Sequence, residues 1–181
     1  MKNYISVYEN VLDESFCKKL IEKFDRSKLI QTRRDDEYKS FNEINFAQYP
    51  QFAEEQDNML ATVQPYVQKY AAQWGIKFFP PNVGFEQIRM KRYEVGGKEE
   101  FREHVDVGDY ASARRFLVMF FYLNNVAEGG ETAFIGIDHD LRVQPKTGSL
   151  LMFPPMWTHP HAGLPPISNP KYICGTYLHY T

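Results

Sequence analysis

The feature that most constrains this chain is a change of hydrophobic period at Pro80-Pro81. Before it, apolar residues recur at helical spacing: Phe16, Leu20, Ile21 and Phe24, then Phe52, Met59, Leu60, Val63, Val67, Tyr70 and Trp74. Such spacing gathers apolar side chains on one face of a helix. Asp13 is placed to cap the first helix, which should end near Ser27; the second should end at Gly75, with Pro65 as a kink or break inside it. After the prolines the runs are short, rich in β-branched and aromatic residues, and bounded by Gly, Pro and Asn: 84–93, 115–123, 131–134, 141–143, 149–153 and 171–180. The polar stretch 32–45 shows no period and reads as a loop, either merely solvated or covering a substrate.

These patterns predict a mainly β chain with helices (α+β): a sandwich or barrel of jelly-roll type flanked by N-terminal helices. At 181 residues the chain is expected to be a single domain, with 1–82 a helical support region and 84–181 the β core. Lys and Arg number 21 against 23 Asp and Glu, so no field of one sign recruits nucleic acid or an anionic membrane. The two cysteines, Cys17 and Cys174, fit no metal or redox spacing and are expected as buried free thiols. The first residues are too poor in apolar side chains for a signal peptide, and no apolar run of about 18 residues occurs. The expectation is a soluble, intracellular (cytoplasmic) protein.

His104-Val105-Asp106 places an imidazole and a carboxylate two positions apart, and in extended chain such residues point to the same side. Together they can grip one ion. His139, His159, His161 and His179 are the candidates for a third ligand, which would complete the 2-His-1-carboxylate triad typical of Fe(II) oxygenases. By parity both His159 and His161 could face the metal if their segment is extended. His139 and His179 read as structural or solvent-facing, and Asp138-His139-Asp140 as a charged turn rather than a second metal site.

Alone, an HxD pair is weak evidence. The ordered string Tyr93, His104-Val105-Asp106, Arg115, Tyr122-Leu123-Asn124, Gly129-Gly130-Glu131-Thr132-Ala133-Phe134, Val143-Gln144-Pro145, Gly148, Phe153, His161-Ala162-Gly163 and Lys171 is not. Over residues 84–181 it resembles the catalytic domain of prolyl 4-hydroxylases and their 2-oxoglutarate/Fe(II) dioxygenase relatives. The resemblance implies a double-stranded β-helix, Fe(II) as cofactor, 2-oxoglutarate and O₂ as co-substrates, and ascorbate as a candidate reductant. It also settles the third ligand: the family's distal histidine opens a His-Ala-Gly segment about ten residues before a basic anchor. His161 stands ten positions before Lys171 and His159 twelve, so His161 is chosen and His159 is the reserve.

By the same resemblance, Lys171 supplies the charge that meets the far carboxylate of 2-oxoglutarate, Tyr122 donates to that carboxylate, and Tyr93 lies over the co-substrate. Parity along the last strand puts Lys171, Ile173, Gly175 and Tyr177 on one face, so Tyr177 should look inward beside Lys171. Relatives commonly carry Trp where Tyr177 stands and Thr where Val118 stands. Gly129-Gly130 should make a tight turn with positive φ. Residues 153–157 and 32–45 are expected to wall the substrate groove. Peptidyl proline in a peptide or protein is the first substrate reading; a small-molecule or nucleic-acid oxygenase of the same superfamily, and a non-catalytic cupin-like binding module, are the rivals.

Overall fold

A computed structural model describes residues 2–137 and 141–181. The first half comprises β1 (Ser6–Tyr8), α1 (Glu14–Arg26), β2 (Thr32–Asp35), β3 (Ser40–Asn45) and α2 (Ala53–Trp74), with short 3₁₀ turns between them. The second half comprises β4 (Val83–Phe85), β5 (Arg89–Tyr93), β6 (Phe101–His104), β7 (Arg115–Tyr122) and β8 (Thr132–Phe134). It closes with β9 (Arg142–Val143), β10 (Leu150–Phe153), β11 (His161–Gly163) and β12 (Lys171–Tyr180).

The helices start and stop for local reasons. Asp13 accepts from the Ser15 backbone N–H at 2.7 Å and caps α1, with Glu14 in the first turn and Lys23 and Arg26 in the last, signs that suit the helix dipole. Gly75, at φ +64°, ends α2. Pro65 does not split α2: it and Ala61, whose carbonyl loses its partner, both lie on the exposed side, where water replaces the missing bond.

Among the described residues every strand pairing is antiparallel. The larger sheet runs β1-β10-β7-β12-β5-β3-β2, with β4 also on β12, and the smaller runs β6-β11-β8-β9. One face of the larger sheet (Met90, Met119, Phe121, Met152, Cys174) packs under Leu20 and Phe24 of α1 and Met59, Val63 and Val67 of α2. The other face (Phe41, Val118, Tyr122, Leu151, Ile173) meets Phe134 and Val143 of the smaller sheet. Burial on both faces is why β10 reads as an unbroken apolar run. Cys17 and Cys174 are buried free thiols in the helix-covered core.

Two expectations are corrected. Residues 32–45 are not a loop but the hairpin β2–β3, turned by Asp36, which accepts from the Tyr38 and Lys39 backbone. Its period was hidden because β2 is exposed throughout while β3 is buried on both sides, so neither strand alternates. The region 1–82, expected as a helical support, also supplies β1, β2 and β3 to the larger sheet. Among the described residues no helix is long and apolar enough to cross a membrane.

Candidate metal centre

Cross-strand register assembles the centre. β11 lies antiparallel to β6 with His161 directly opposite His104, which brings their rings to 4.4 Å between centroids. Asp106 follows on the turn after β6, and this turn is tied down by the Pro155 carbonyl, which accepts from the Asp106 and Val107 N–H groups at 3.1 Å each. His104 Nε2 then stands 3.8 Å from Asp106 Oδ1, and His161 Nε2 3.4 Å from Oδ2. Among the described residues, His104, Asp106 and His161 are the cluster able to offer three ligand atoms to one ion.

The donor chemistry fits a divalent transition metal. His104 Nδ1 lies 2.7 Å from the Arg102 carbonyl and His161 Nδ1 3.0 Å from the His159 carbonyl. A carbonyl only accepts, so each Nδ1 carries the proton and each Nε2 presents its lone pair to the centre. Burial, then the nearby His161, lowers the His104 pKa to about 4, which keeps the ring neutral as a ligand must be. Asp106 Oδ2 is buried and accepts no hydrogen bond, an orphan that a cation would satisfy. Oδ1 accepts from the Tyr177 hydroxyl at 2.6 Å.

The other predicted residues fall in several places. His159 is turned away: Nε2 donates to the Asn3 carbonyl at 2.7 Å and Nδ1 accepts from Thr158 Oγ1 at 2.8 Å, so neither nitrogen is free for a metal. His179 caps the far end of β12, with Nδ1 on the Tyr180 carbonyl. Asp138-His139-Asp140 lies outside the described residues. Lys171 is 2% exposed, with Nζ 5.1 Å from the centre of the Tyr93 ring. Burial lowers its pKa to about 7, with Glu131 opposing and Lys91 adding to the shift. Tyr122 is also buried, but its hydroxyl exchanges a hydrogen bond with Thr132 Oγ1 at 2.7 Å rather than reaching Lys171. Parity on β12 places Tyr177 inward, where it meets Asp106.

A cavity of about 440 Å³ opens over the centre, lined by His104, Asp106, Val118, Gly175 and Tyr177. Gly175 is required on its wall by the close approach of β7, because a Cβ there would stand 2.5 Å from that of Phe120. The β2–β3 hairpin contributes Arg34, Lys39, Phe41 and Glu43, so this segment does wall the cavity, as a strand pair. The 153–157 segment acts instead through Pro155, which fixes the ligand turn. Gly129 and Gly130 take φ +73° and +72°, and a Cβ on Gly129 would meet the Pro165 carbonyl at 2.5 Å, so the expected turn does require glycine.

Sequence reasoning gave no role to three neighbours. Phe101 stacks on the His104 ring at 3.6 Å. Arg115 forms a two-point pair with Glu86 (2.7 and 2.9 Å), donates to the Asp106 carbonyl at 3.1 Å and lies 4.1 Å over the Tyr177 ring. Lys91 sits over Phe41 and Phe101. The Phe101 stack is local to β6, whereas the Arg115 and Lys91 contacts join different elements; parity on β5, which puts Lys91 on the face of Tyr93, was the one signal available for these.

No curated protein sequence matches the chain. Solved structures do. A viral collagen prolyl hydroxylase of Paramecium Bursaria Chlorella virus-1, in complex with 2OG, is 21% identical with TM-score 0.72, covering 98% of this chain and 97% of its own. A prolyl hydroxylase of Trichoplax adhaerens, in complex with a hypoxia inducible factor peptide fragment, is 14% identical with TM-score 0.79, covering 98% and 84%. A Pseudomonas putida prolyl-4-hydroxylase is 16% identical with TM-score 0.72, covering 99% and 94%. At these identities the likeness is one of fold. The sequence profile of the 2OG-Fe(II) oxygenase superfamily matches residues 88–179, a span that holds all three clustered ligands and Lys171. The protein belongs to the 2OG-Fe(II) oxygenase superfamily and is a dioxygenase of Fe(II), 2-oxoglutarate and O₂.

Proposed function

We propose that the protein is a hydroxylase of a peptidyl residue, with proline the first candidate, built as one domain over residues 1–181 around a double-stranded β-helix in 84–181. The observation that carries this reading is the buried, unbonded Asp106 oxygen facing two histidines whose Nε2 lone pairs converge beneath an open cavity. His104, Asp106 and His161 hold Fe(II). With its co-substrates bound, the metal supplies oxidation of a C–H bond to an alcohol while 2-oxoglutarate becomes succinate and CO₂.

The chain's residues bind, orient and protect. Among the described residues Lys171 makes no ion pair or hydrogen bond, and its neighbours Gly130 and Gly163 lack side chains: a Cβ on Gly163 would lie 3.7 Å from its Nζ. This buried, unpartnered cation is suited to the far carboxylate of 2-oxoglutarate, which would restore full charge to an ammonium otherwise half neutral near pH 7. Tyr93 packs beside it, and Tyr122 reaches the same carboxylate by exchanging its bond to Thr132. Tyr177 fixes one Asp106 oxygen so that the other faces the metal. The Phe101 ring excludes water from one face of His104.

The peptide reading draws on the prolyl hydroxylases that share the fold, one of them in complex with a peptide fragment. Anaerobic addition of Fe(II) and 2-oxoglutarate should give a weak visible charge-transfer band that His104→Ala abolishes. Admitting O₂ with candidate peptides should yield succinate and a product heavier by one oxygen. Folded protein that shows neither band nor succinate would overturn the proposal, and oxidation confined to free amino acids or nucleic acid would remove its peptide part.

A further inference from the structure

The cavity wall carries more positive charge than the co-substrate requires. Arg34 and Arg89 share the Glu43 carboxylate, at 2.7 and 3.4 Å, and Arg115 is matched by Glu86. Lys91 is different. It stands opposite Glu43 in the β3–β5 register and opposite Ile173 in the β5–β12 register, so it points into the space between the sheets. Its Nζ lies 4.9 Å from the centre of the Phe41 ring and 5.2 Å from that of Phe101, yet no carboxylate comes within 4 Å of it and it makes no hydrogen bond among the described residues. Phe101 in turn stacks on His104, so this ammonium sits one aromatic ring away from the metal ligands.

A cation kept half out of water without an anion is costly unless an anion arrives. Burial lowers the Lys91 pKa; Asp106 and Glu43 oppose the shift, and Arg89 and Lys39 reinforce it. Glu43 is already held by two guanidinium groups, and Asp106 by Tyr177 and the proposed metal. On the reading above, 2-oxoglutarate brings one carboxylate beyond the part that the metal takes. Lys171, deeper and 2% exposed, answers that one. Lys91 lines the open cavity instead and is left over.

We infer that Lys91 binds a carboxylate of the primary substrate, so that the hydroxylated carbon lies within about one side-chain length of an acidic group. The two aromatic rings flank the ammonium itself, which they attract without neutralising, and Lys91 lines the cavity. The carboxylate comes either from an Asp or Glu flanking the target residue in a peptide or from the α-carboxylate of a free amino acid. This inference rests on the oxygenase reading of the same site and names its substrate class.

The test uses whole protein loaded anaerobically with Fe(II) and 2-oxoglutarate, with the charge-transfer band as proof of loading. Blocked random hexapeptides are selected on immobilised protein and sequenced by mass spectrometry; free amino acids and their amides are titrated by their perturbation of the band. Acidic peptides, or free acids over amides, should be favoured by roughly ten- to a hundred-fold, the scale of one charge-assisted contact. That preference should vanish in Lys91→Met, which removes the charge while keeping an unbranched side chain of similar length, and persist in Lys91→Arg. Retention of acidic peptides identifies a side-chain source, and preference for free acids alone an α-carboxylate source.

Equal binding of acid and amide in both arms, or no binding of any probe at millimolar concentration, overturns the inference even if Lys91→Met fails to fold. So does a tenfold loss of 2-oxoglutarate affinity in Lys91→Met, which would make Lys91 a co-substrate anchor. Failure of the band to form in the native protein sinks the oxygenase site itself, a result distinct from a formed band without acid preference.

Discussion

Asp106 divides its two oxygens between two tasks. Oδ1 accepts from the Tyr177 hydroxyl at 2.6 Å, and Oδ2 is left without a donor toward the histidines. Burial and the neighbouring Asp106 raise the Tyr177 pKa well above the ordinary phenol value, so the hydroxyl remains a proton donor throughout the working range. Tyr177→Phe should therefore leave the fold intact and weaken Fe(II) binding by roughly 10- to 100-fold, as expected for loss of a group that orients a ligand. Titration of the apoprotein with Fe(II) under nitrogen measures this, and unchanged affinity would refute it. The HxD pair was legible in the sequence because two-residue spacing on extended chain is local. The Tyr177–Asp106 bond was not, since its partners are 71 positions apart and meet only when β12 lies beside the turn after β6. His159 shows the limit of parity: its ring is captured by Asn3 and Thr158, a competition no spacing rule contains.

At the scale of elements, legibility followed burial geometry. β12 was bounded correctly at Lys171–Tyr180 because the turn residues Ser168-Asn169-Pro170 precede a long aromatic and β-branched run, and α1 because Asp13 supplies its cap. β6, whose sequence is FREH, and the three-residue β11 carry the ligands yet have too few apolar residues to show a period; they exist because they pair with each other. β2 and β3 were missed for the opposite failings of full exposure and full burial. Pro65 offers a test of how α2 tolerates a lost backbone bond. An interior Pro costs about 3 kcal/mol relative to Ala, offset by about 1 kcal/mol from its stiffening of the unfolded chain. Pro65→Ala should thus raise stability by about 2 kcal/mol in urea denaturation, with Fe(II) affinity unchanged. A destabilised variant would show that the ring packs against something the exposed position does not suggest.

Across the molecule, the metal ligands sit in the smaller sheet and its adjoining turn, while the group that steadies Asp106 comes from the larger one. A bound ion should therefore tighten the two sheets against each other. At free Fe(II) one hundredfold above its dissociation constant, linkage gives about 2.7 kcal/mol of stabilisation, which for a chain of this size is roughly 5–10 °C in melting temperature. An anaerobic thermal melt should show that shift in the native protein and lose it in His161→Ala; an equal shift in the variant would place the metal elsewhere. The mainly β character was legible from the period change at Pro80-Pro81, but the split into two sheets was not, because strand order depends on long-range pairing.

The direct opposition of His161 and His104 has a consequence for how such a chain can diversify. A one-residue shift within either short strand would carry a ligand to the opposite face and erase the centre. Insertions between the two strands leave that pairing untouched wherever they fall in connecting turns. The turn 108–114, between β6 and β7, is therefore a place where added length would alter the surroundings of the site without renegotiating the metal.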